Sequence, residues 1–159
     1  MKYLFEYNWQ VRNEWFDLCK TISNDKLYEE RIGGHRSIAQ TLFHITKVEY
    51  DWICDLQQKP IFEGTFEQYQ TFDEIIQLSA DLQVEVKDFI QQWQAKMDDK
   101  VLNIDFGDGN HLNCTYGEAI RHIIVHEVHH IGQLSIWARE IGIVPINSNF
   151  INRGLFITK

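Results

Sequence analysis

The segment from Thr115 to Gly142 constrains the fold of this chain more than any other. Thr115 and Glu118 form a capping-box pattern, in which each side chain bonds a backbone N–H that the first helical turn leaves unpaired. Gly142 suits the left-handed residue beyond a last turn, and Pro145 prevents the helix from resuming. Isoleucine and leucine side chains recur between these two signals. The pattern therefore predicts one long helix that buries an apolar side against a core.

Three histidines accompany that apolar side at intervals of four residues: His122, His126 and His130. At 3.6 residues per turn, such a row lies along one side of the helix. Because buried polar rings without partners cost free energy, a metal ion is the simplest partner for them. The alternative is a solvated, histidine-rich face that binds nothing.

A third ligand for such an ion is present on a second predicted helix. His44 lies beside the apolar side of that helix and is the natural ligand from across a bundle. Catalytic zinc sites typically use three protein ligands and leave one position open. His126 and His130 suit this arrangement best because both lie mid-helix, where the backbone is rigid. The spacing predicts a site made of His44, His126 and His130, with His122 as a further ligand or a proton carrier.

The run from His126 to His130 also matches HExxH, a motif of zinc proteases. Those enzymes take a third ligand downstream of the motif. After His130 the only carboxylate is Glu140, ten residues further along the same helix and roughly 15 Å away at the helical rise. Glu140 therefore cannot reach the ion, and the protease interpretation is disfavoured. Glu127 is kept as a candidate base or as a group that orients a ligand.

Composition limits the class of protein. With 159 residues, 44% of them hydrophobic, the chain is expected to form a single domain, 1–159, around a sizeable core. A formal net charge of −8 without a basic cluster argues against nucleic-acid binding. Three widely spaced cysteines without a CxxC pattern favour reduced thiols over a disulfide framework. With no signal peptide or membrane span recognisable, a soluble cytoplasmic protein is expected.

Three further helices are predicted upstream of the histidine-rich one. Residues 3–22 carry apolar side chains in alternating steps of four and three, which is the spacing of a buried stripe. That stripe consists of Leu4, Val11, Trp15, Leu18 and Ile22. Ser37 with Gln40 marks the start of a helix that runs to about residue 58. Thr71 with Glu74 marks another, whose apolar spacing continues to Met97.

The remaining segments are connections. Residues 100–114, around Gly107-Asp108-Gly109, favour a short β-hairpin or an extended crossover loop. Residues 23–36 are predicted to form an irregular connection, and residues 143–159 to fold back over the helices. Four long helices, three of them opened by the same capping pattern, predict an all-α four-helix bundle.

Three segments together resemble the DinB/YfiT-like family. YNWQVRNEW is similar to the opening helix of that family, and SIAQTLFHITKVEYDW is similar to its second helix, with a histidine followed by an acidic residue and a tryptophan. HEVHHIGQL is similar to the signature of its fourth helix. The resemblance spans nearly the whole chain in the same order. It implies a bundle of up-down-down-up connectivity.

The resemblance also implies a site. Its metal ligands correspond to His44, His126 and His130, which the spacing selects independently. Nickel or zinc and a homodimer are typical of the family. One departure is the loop that reads GGHRS before the second helix, where small or aromatic residues are typical of the family. A contact of His35 or Arg36 at the rim of the site is therefore left open.

Three functions are compatible with these residues. The first is transfer of a low-molecular-weight thiol, of the bacillithiol type, to an electrophilic small molecule. The second is a hydrolase with a metal-activated water, in which Glu127 or His122 handles protons. The third is a non-catalytic metal-binding stress-response protein, which a fourth protein ligand would support. Asn8 and Gln133 are candidate substrate contacts, although a buried Asn8 bonded to backbone is the simpler interpretation.

Overall fold

The computed structural model describes residues 1–105, 107 and 109–156 of the chain. Within them lie five α-helices and one two-stranded sheet. In chain order these are α1 (Lys2–Cys19), α2 (Asn24–Tyr28), α3 (Ile38–Gln57), α4 (Phe72–Gln92), β1 (Val101–Asp105), β2 (His111–Thr115) and α5 (Tyr116–Glu140). None of these helices combines the length and the apolar character that crossing a membrane requires.

Two hydrophobic clusters show how the four long helices are oriented. One cluster joins the C-terminal halves of α1 and α5 to the N-terminal halves of α3 and α4, for example through Trp15, Leu134, Leu42 and Ile75. The other joins the opposite halves, for example through Phe5, Ile120, Ile53 and Val86. Helices α1 and α5 therefore run in one direction, and α3 and α4 run in the other. The four-helix bundle of up-down-down-up connectivity is confirmed.

The predicted capping residues begin three of the long helices. At α5 the backbone N–H of Thr115 donates to Glu118 Oε2 at 2.7 Å, and the N–H of Glu118 donates to Thr115 Oγ1 at 3.1 Å. The same reciprocal box opens α4 at Thr71. At α3 the side chain of Ser37 accepts from the N–H of Gln40. Beyond α5, Gly142 has φ of +78°, the left-handed geometry that ends the helix there.

Replacing Thr115 with alanine is expected to lower the free energy of unfolding by about 1 kcal/mol. The substitution removes the acceptor for the N–H of Glu118 at the start of the longest helix. Urea denaturation followed by circular dichroism measures the change. Thr115→Ser keeps the hydroxyl and is expected to retain most of the stability. An equal loss in both variants would show that the cap is not the cause.

The connection before α5 is a hairpin rather than an extended crossover. Strands β1 and β2 pair antiparallel, with Leu102 opposite Cys114 and Ile104 opposite Leu112. Leu102 is buried against the bundle and fixes the hairpin to the end that holds the start of α5. Phe106 and Asp108 of the predicted turn lie outside the described residues, as do residues 157–159 of the predicted tail.

Some predicted details differ from the structure. Helix α1 ends at Cys19 rather than at residue 22, and its Leu4 is 38% exposed while Phe5 is fully buried. Placing Leu4 in the core was wrong because the buried side of α1 also carries polar residues, which an apolar pattern does not register. Helix α4 ends at Gln92, before Met97, and the connection after α1 contains the short helix α2.

The segment after α5 returns to α1. Tyr7 Oη donates to the carbonyl of Ser148 at 2.5 Å, and the ring of Tyr7 lies 5.2 Å from that of Phe150. Arg153 forms an ion pair with Glu14 at 2.9 Å. The segment therefore covers the part of α1 around Tyr7 and Glu14.

Candidate metal centre

The three predicted ligands come from two neighbouring antiparallel helices. His44 lies in the first half of α3, and His126 and His130 lie one turn apart in the middle of α5. Nε2 of His126 lies 2.9 Å from Nε2 of His44 and 3.1 Å from Nε2 of His130. The structure thus brings the three predicted ligands together at one point between α3 and α5.

Gln133 determines which nitrogen of His130 is free. Its side-chain Oε1 lies 2.8 Å from His130 Nδ1, and its Nε2 lies 3.0 Å from His129 Nε2. An amide oxygen only accepts hydrogen bonds, so Nδ1 of His130 carries the proton and its Nε2 carries a lone pair. Gln133 therefore turns the lone pair of His130 toward the other two rings, as partners of metal-binding histidines commonly do.

The geometry of the three nitrogens suits a shared ion. Two nitrogens that lie about 2.0–2.1 Å from one ion are about 2.9–3.4 Å apart at angles of about 90–110°. The observed separations of 2.9 and 3.1 Å fall in this range. Hydrogen bonding alone satisfies the cluster poorly, because Nε2 of His126 carries at most one proton and faces two other Nε2 atoms. Imidazole ligands suit nickel or zinc, so these residues fit such an ion.

A fourth histidine, His35, joins this cluster from the loop before α3. Its ring centroid lies 3.4 Å from that of His44 and 5.2 Å from that of His130. One ring nitrogen from each of His35, His44 and His130 lies within 4.8 Å of the other two. His44 and His130 belong to both groups, and Nε2 of His126 lies 2.9 and 3.1 Å from theirs, so the four rings form one cluster.

Burial and mutual repulsion keep the clustered rings uncharged. Burial, and then the nearby His35, His126 and His130, lower the pKa of His44 to about 3. Burial and the neighbouring histidines likewise lower the pKa of His126 to about 4. Burial also lowers the pKa of His130, although its bond to Gln133 opposes this. At neutral pH these rings are in the form that binds metal ions.

The metal-free protein is expected to lose several degrees of thermal stability as the pH falls from 6.5 to 5. In that window the unfolded chain takes up protons at histidines with pKa near 6.5. Folded His44 and His126 do not, since their pKa values are about 3 and about 4. The unfolded state then binds more protons than the folded state, so the free energy of unfolding decreases as the pH decreases. Melting curves in chelator measure this, and His44→Gln should reduce the slope. A flat melting temperature would contradict it.

Glu127 takes part in a buried ion-pair network beside this cluster. Nε and Nη2 of Arg12 donate to the two carboxylate oxygens of Glu127 at 2.9 and 2.5 Å. Nη1 of Arg12 donates to Glu49 at 2.7 Å, and Trp9 Nε1 donates to the other oxygen of Glu49 at 2.8 Å. The side chains of Arg12, Glu49 and Glu127 are 1%, 3% and 2% exposed. The network ties α1 to both helices that carry the histidines.

The charges in this network stabilise one another. Burial by itself lowers the pKa of Arg12, but the two carboxylates outweigh that effect and hold the pKa above its usual value. Burial raises the pKa of Glu127 against the opposing effect of Arg12. Because both oxygens of Glu127 bind Arg12, the contacts favour a role in holding α5 against α1. A catalytic role for Glu127 stays a prediction.

The two candidate substrate residues have partners inside the protein. Asn8 is buried and donates from Nδ2 to the carbonyl of Ile124 at 3.3 Å, while Gln133 orients His130. Their substrate contacts stay predictions. Arg12 was not predicted as a site residue, although its position four residues after Asn8 places a cation on the buried side of α1. A charged residue at a predicted buried position was the feature of the sequence that could have identified Arg12.

A cavity of about 400 Å³ adjoins the histidine row on the side of His122. The ring of His122 lies 5.8 Å from that of His126 and 5.3 Å from that of Trp52. The wall of the cavity is formed largely by Trp52, Leu112, Cys114 and Ala119. His122 is exposed and lines this cavity, and its ring neighbours that of His126, so the histidine row leads from the three-nitrogen cluster to the cavity.

Known proteins are similar to this chain in sequence and in fold. A relative from Bacillus subtilis (strain 168), named uncharacterized protein YizA, is 41% identical over 155 residues, covering 98% of this chain and 96% of the relative. A crystal structure of a DinB-like protein from Bacillus cereus ATCC 10987 has a TM-score of 0.64, covers 87% of this chain and 91% of its own, and is 18% identical, so it supports the fold. The family model of the DinB family matches residues 1–153. The chain therefore belongs to the DinB family.

Proposed function

We propose that this protein is a divalent-metal-dependent enzyme that transfers a low-molecular-weight thiol, of the bacillithiol type, to an electrophilic small molecule. The observation that carries the proposal is the convergence of Nε2 atoms from His44, His126 and His130, with separations of 2.9 and 3.1 Å. Nickel or zinc held there would bind the sulfur of the thiol and favour its thiolate form, which is the nucleophile.

The nucleophilic sulfur has to come from a bound small molecule, because the protein's own thiols are poor nucleophiles. Burial raises the pKa of Cys19 to about 12. Burial also raises the pKa of Cys54 and of Cys114. All three are therefore protonated at neutral pH, whereas the thiolate is the reactive form.

The cavity beside His122 suits the second substrate. Its apolar wall, with Trp52 and Leu112, favours a flat, weakly polar electrophile such as a haloarene. In the reaction a carbon–sulfur bond forms, the carbon–halogen bond breaks, and the halide leaves with the bonding electrons. The thiol proton is released, and His122 is placed to accept it because its ring lines the cavity and neighbours that of His126.

Thiol consumption tests this proposal. Protein loaded with nickel or zinc is incubated with bacillithiol and a haloarene, and the conjugate is identified by mass spectrometry. We expect conjugate formation that is lost in His44→Ala and retained in His111→Ala, which removes an exposed histidine of the hairpin. Thiol loss at the uncatalysed rate with every electrophile tried would contradict the proposal. Ester or amide turnover without thiol would instead identify a hydrolase.

The hydrolase alternative has less support from the contacts. A metal-activated water is usually assisted by a nearby base, and Glu127 is the carboxylate next to His126 in the sequence. Both oxygens of Glu127 accept hydrogen bonds from Arg12 in the buried network. Of the two predicted proton carriers, His122 is the exposed one. It could accept a proton from a thiol as well as from a water, so it does not favour the hydrolase over thiol transfer.

We also propose that the protein forms a homodimer, as resemblance to the family implies. Light scattering on the metal-loaded protein measures the mass in solution, for which the chain mass of 18.9 kDa is the reference. A mass of one chain at all concentrations would contradict the dimer and would leave the proposed chemistry untouched.

A further inference from the structure

We infer that His35 is a fourth protein ligand of the metal centre, so that the resting centre holds four imidazoles. The inference rests on the proposed metal site and adds a ligand from outside the helices. His44 belongs to α3, and His126 and His130 belong to α5, whereas His35 lies in the loop Gly33–Ser37. In this arrangement the position that a substrate thiol needs is occupied until the thiol arrives.

The position of the His35 ring is the first support. It stacks on the ring of His44, with centroids 3.4 Å apart and planes at 26°, and its centroid lies 5.2 Å from that of His130. Ring nitrogens of His35, His44 and His130 lie within 4.8 Å of one another, so all three can hold one ion once the His35 ring turns out of its stack on His44. His35 is half-buried, so its ring faces the cluster and not only solvent.

The loop that carries His35 lies against α5 so closely that a side chain at position 34 would crowd two residues of that helix, which is the second support. A Cβ atom on Gly34 would lie 2.7 Å from Gln133 Oε1 and 3.0 Å from the ring of Trp137. Gly34 also has φ of +50°, which other residues adopt at a cost. The residue it touches, Gln133, is the one that orients His130. The loop is thus seated directly on the ligand-bearing face.

Backbone contacts close the same loop. The N–H of Arg31 donates to the carbonyl of Arg36 at 2.5 Å, and the N–H of Ser37 donates to the carbonyl of His35 at 2.8 Å. Arg36 has φ of +66°, a left-handed conformation that is uncommon for a residue with a side chain. This tightly turned loop holds the backbone of His35 beside the cluster.

Four imidazoles complete the tetrahedral coordination that zinc prefers. A ligand on a loop is easier to displace than one on a helix, since its release does not require a helix to move. An incoming thiol would therefore exchange with His35 and leave His44, His126 and His130 in place. His35 then acts as a displaceable ligand that keeps the centre closed to water and other small ligands when thiol is absent.

X-ray absorption spectroscopy of zinc-loaded protein counts the imidazoles directly and does not depend on activity. We expect four in the parent protein and three in His35→Ala. Because His35 is a displaceable ligand, its loss should reduce zinc affinity by only as much as the loss of a residue that orients a ligand, about 10–100-fold. His111→Ala removes an exposed histidine and is expected to change neither quantity. Gly34→Ala keeps the His35 ring but forces the loop away from Gln133, so it is expected to lower the count to three as well.

Adding bacillithiol to the parent protein provides the second measurement. We expect one imidazole to be replaced by one sulfur, with no such loss of nitrogen in His35→Ala. Zinc bound by three imidazoles with equal affinity in the parent and in His35→Ala would overturn the inference and leave the proposed function standing. Failure of the parent to bind zinc or nickel at all would overturn both. Four imidazoles with a centre that thiol never enters would support the ligand and overturn the thiol-transfer proposal.

Discussion

Replacing His126 with alanine is expected to abolish stoichiometric binding of nickel or zinc. Nε2 of His126 is the atom that lies close to both other nitrogens, at 2.9 Å from His44 and 3.1 Å from His130. Loss of a residue that merely orients a ligand costs about 10–100-fold in metal affinity, so loss of this ligand should cost at least about 100-fold. Mass spectrometry of untagged protein measures the metal content, and competition with a chromophoric chelator measures the affinity.

The comparison with His129→Ala makes this test specific. His129 is exposed on the same helix and contacts Gln133 rather than the three Nε2 atoms. We expect that variant to keep stoichiometric metal with at most a modest loss of affinity. Equal metal content in the parent, His126→Ala and His129→Ala would mean that the ion binds elsewhere. The histidine row would then have to be explained by structure alone.

Replacing Arg12 with methionine is expected to lower the free energy of unfolding by about 3–5 kcal/mol, because two buried carboxylates lose their only cationic partner in the network. Glu49 and Glu127 are 3% and 2% exposed and together accept three hydrogen bonds from Arg12. For a chain of this length the melting temperature should fall by roughly 10 °C. Denaturant titration and calorimetry measure the two quantities.

Two controls separate charge from packing in this prediction. Lys20→Met removes an exposed cation paired with Asp17 and is expected to leave stability nearly unchanged. The triple variant Arg12→Met, Glu49→Gln, Glu127→Gln removes the network's charges together and is expected to recover part of the loss. A triple variant as unstable as the single one would show that lost packing, and not unpaired charge, is responsible.

The parts of the fold that depend on local spacing were predictable from the sequence. The capping pattern at Thr115 and Glu118 and the apolar periodicity of α5 depend on residues within a few turns of each other. Helical periodicity also places His126 and His130 on one face, which is why a cluster with His44 could be anticipated. The up-down-down-up connectivity was predicted from the resemblance to the DinB/YfiT-like family, because local spacing does not determine how helices are connected.

The remaining parts depend on contacts between distant segments. His35 reaches the cluster because Gly34 packs against Gln133 and Trp137, about a hundred residues further along the chain, and no local pattern encodes that approach. Arg12 was missed because an apolar stripe argument skips charged residues, although its partner Glu127 was already under consideration. The wrong placement of Leu4 in the core has the same origin. The apolar pattern assigns every polar residue to the solvent side, whereas α1 buries several of them.

The sequence distance between the proposed ligands would link metal supply to the lifetime of the protein. His44 and His126 are 82 residues apart, so the unfolded chain has no preformed site and binds the proposed ion weakly. Free metal at 100 times its dissociation constant would then stabilise the folded state by about 2.7 kcal/mol. In a cell short of that metal, more molecules would open and be degraded by proteases. The abundance of the protein would thereby follow the metal available to it, without any change in its synthesis.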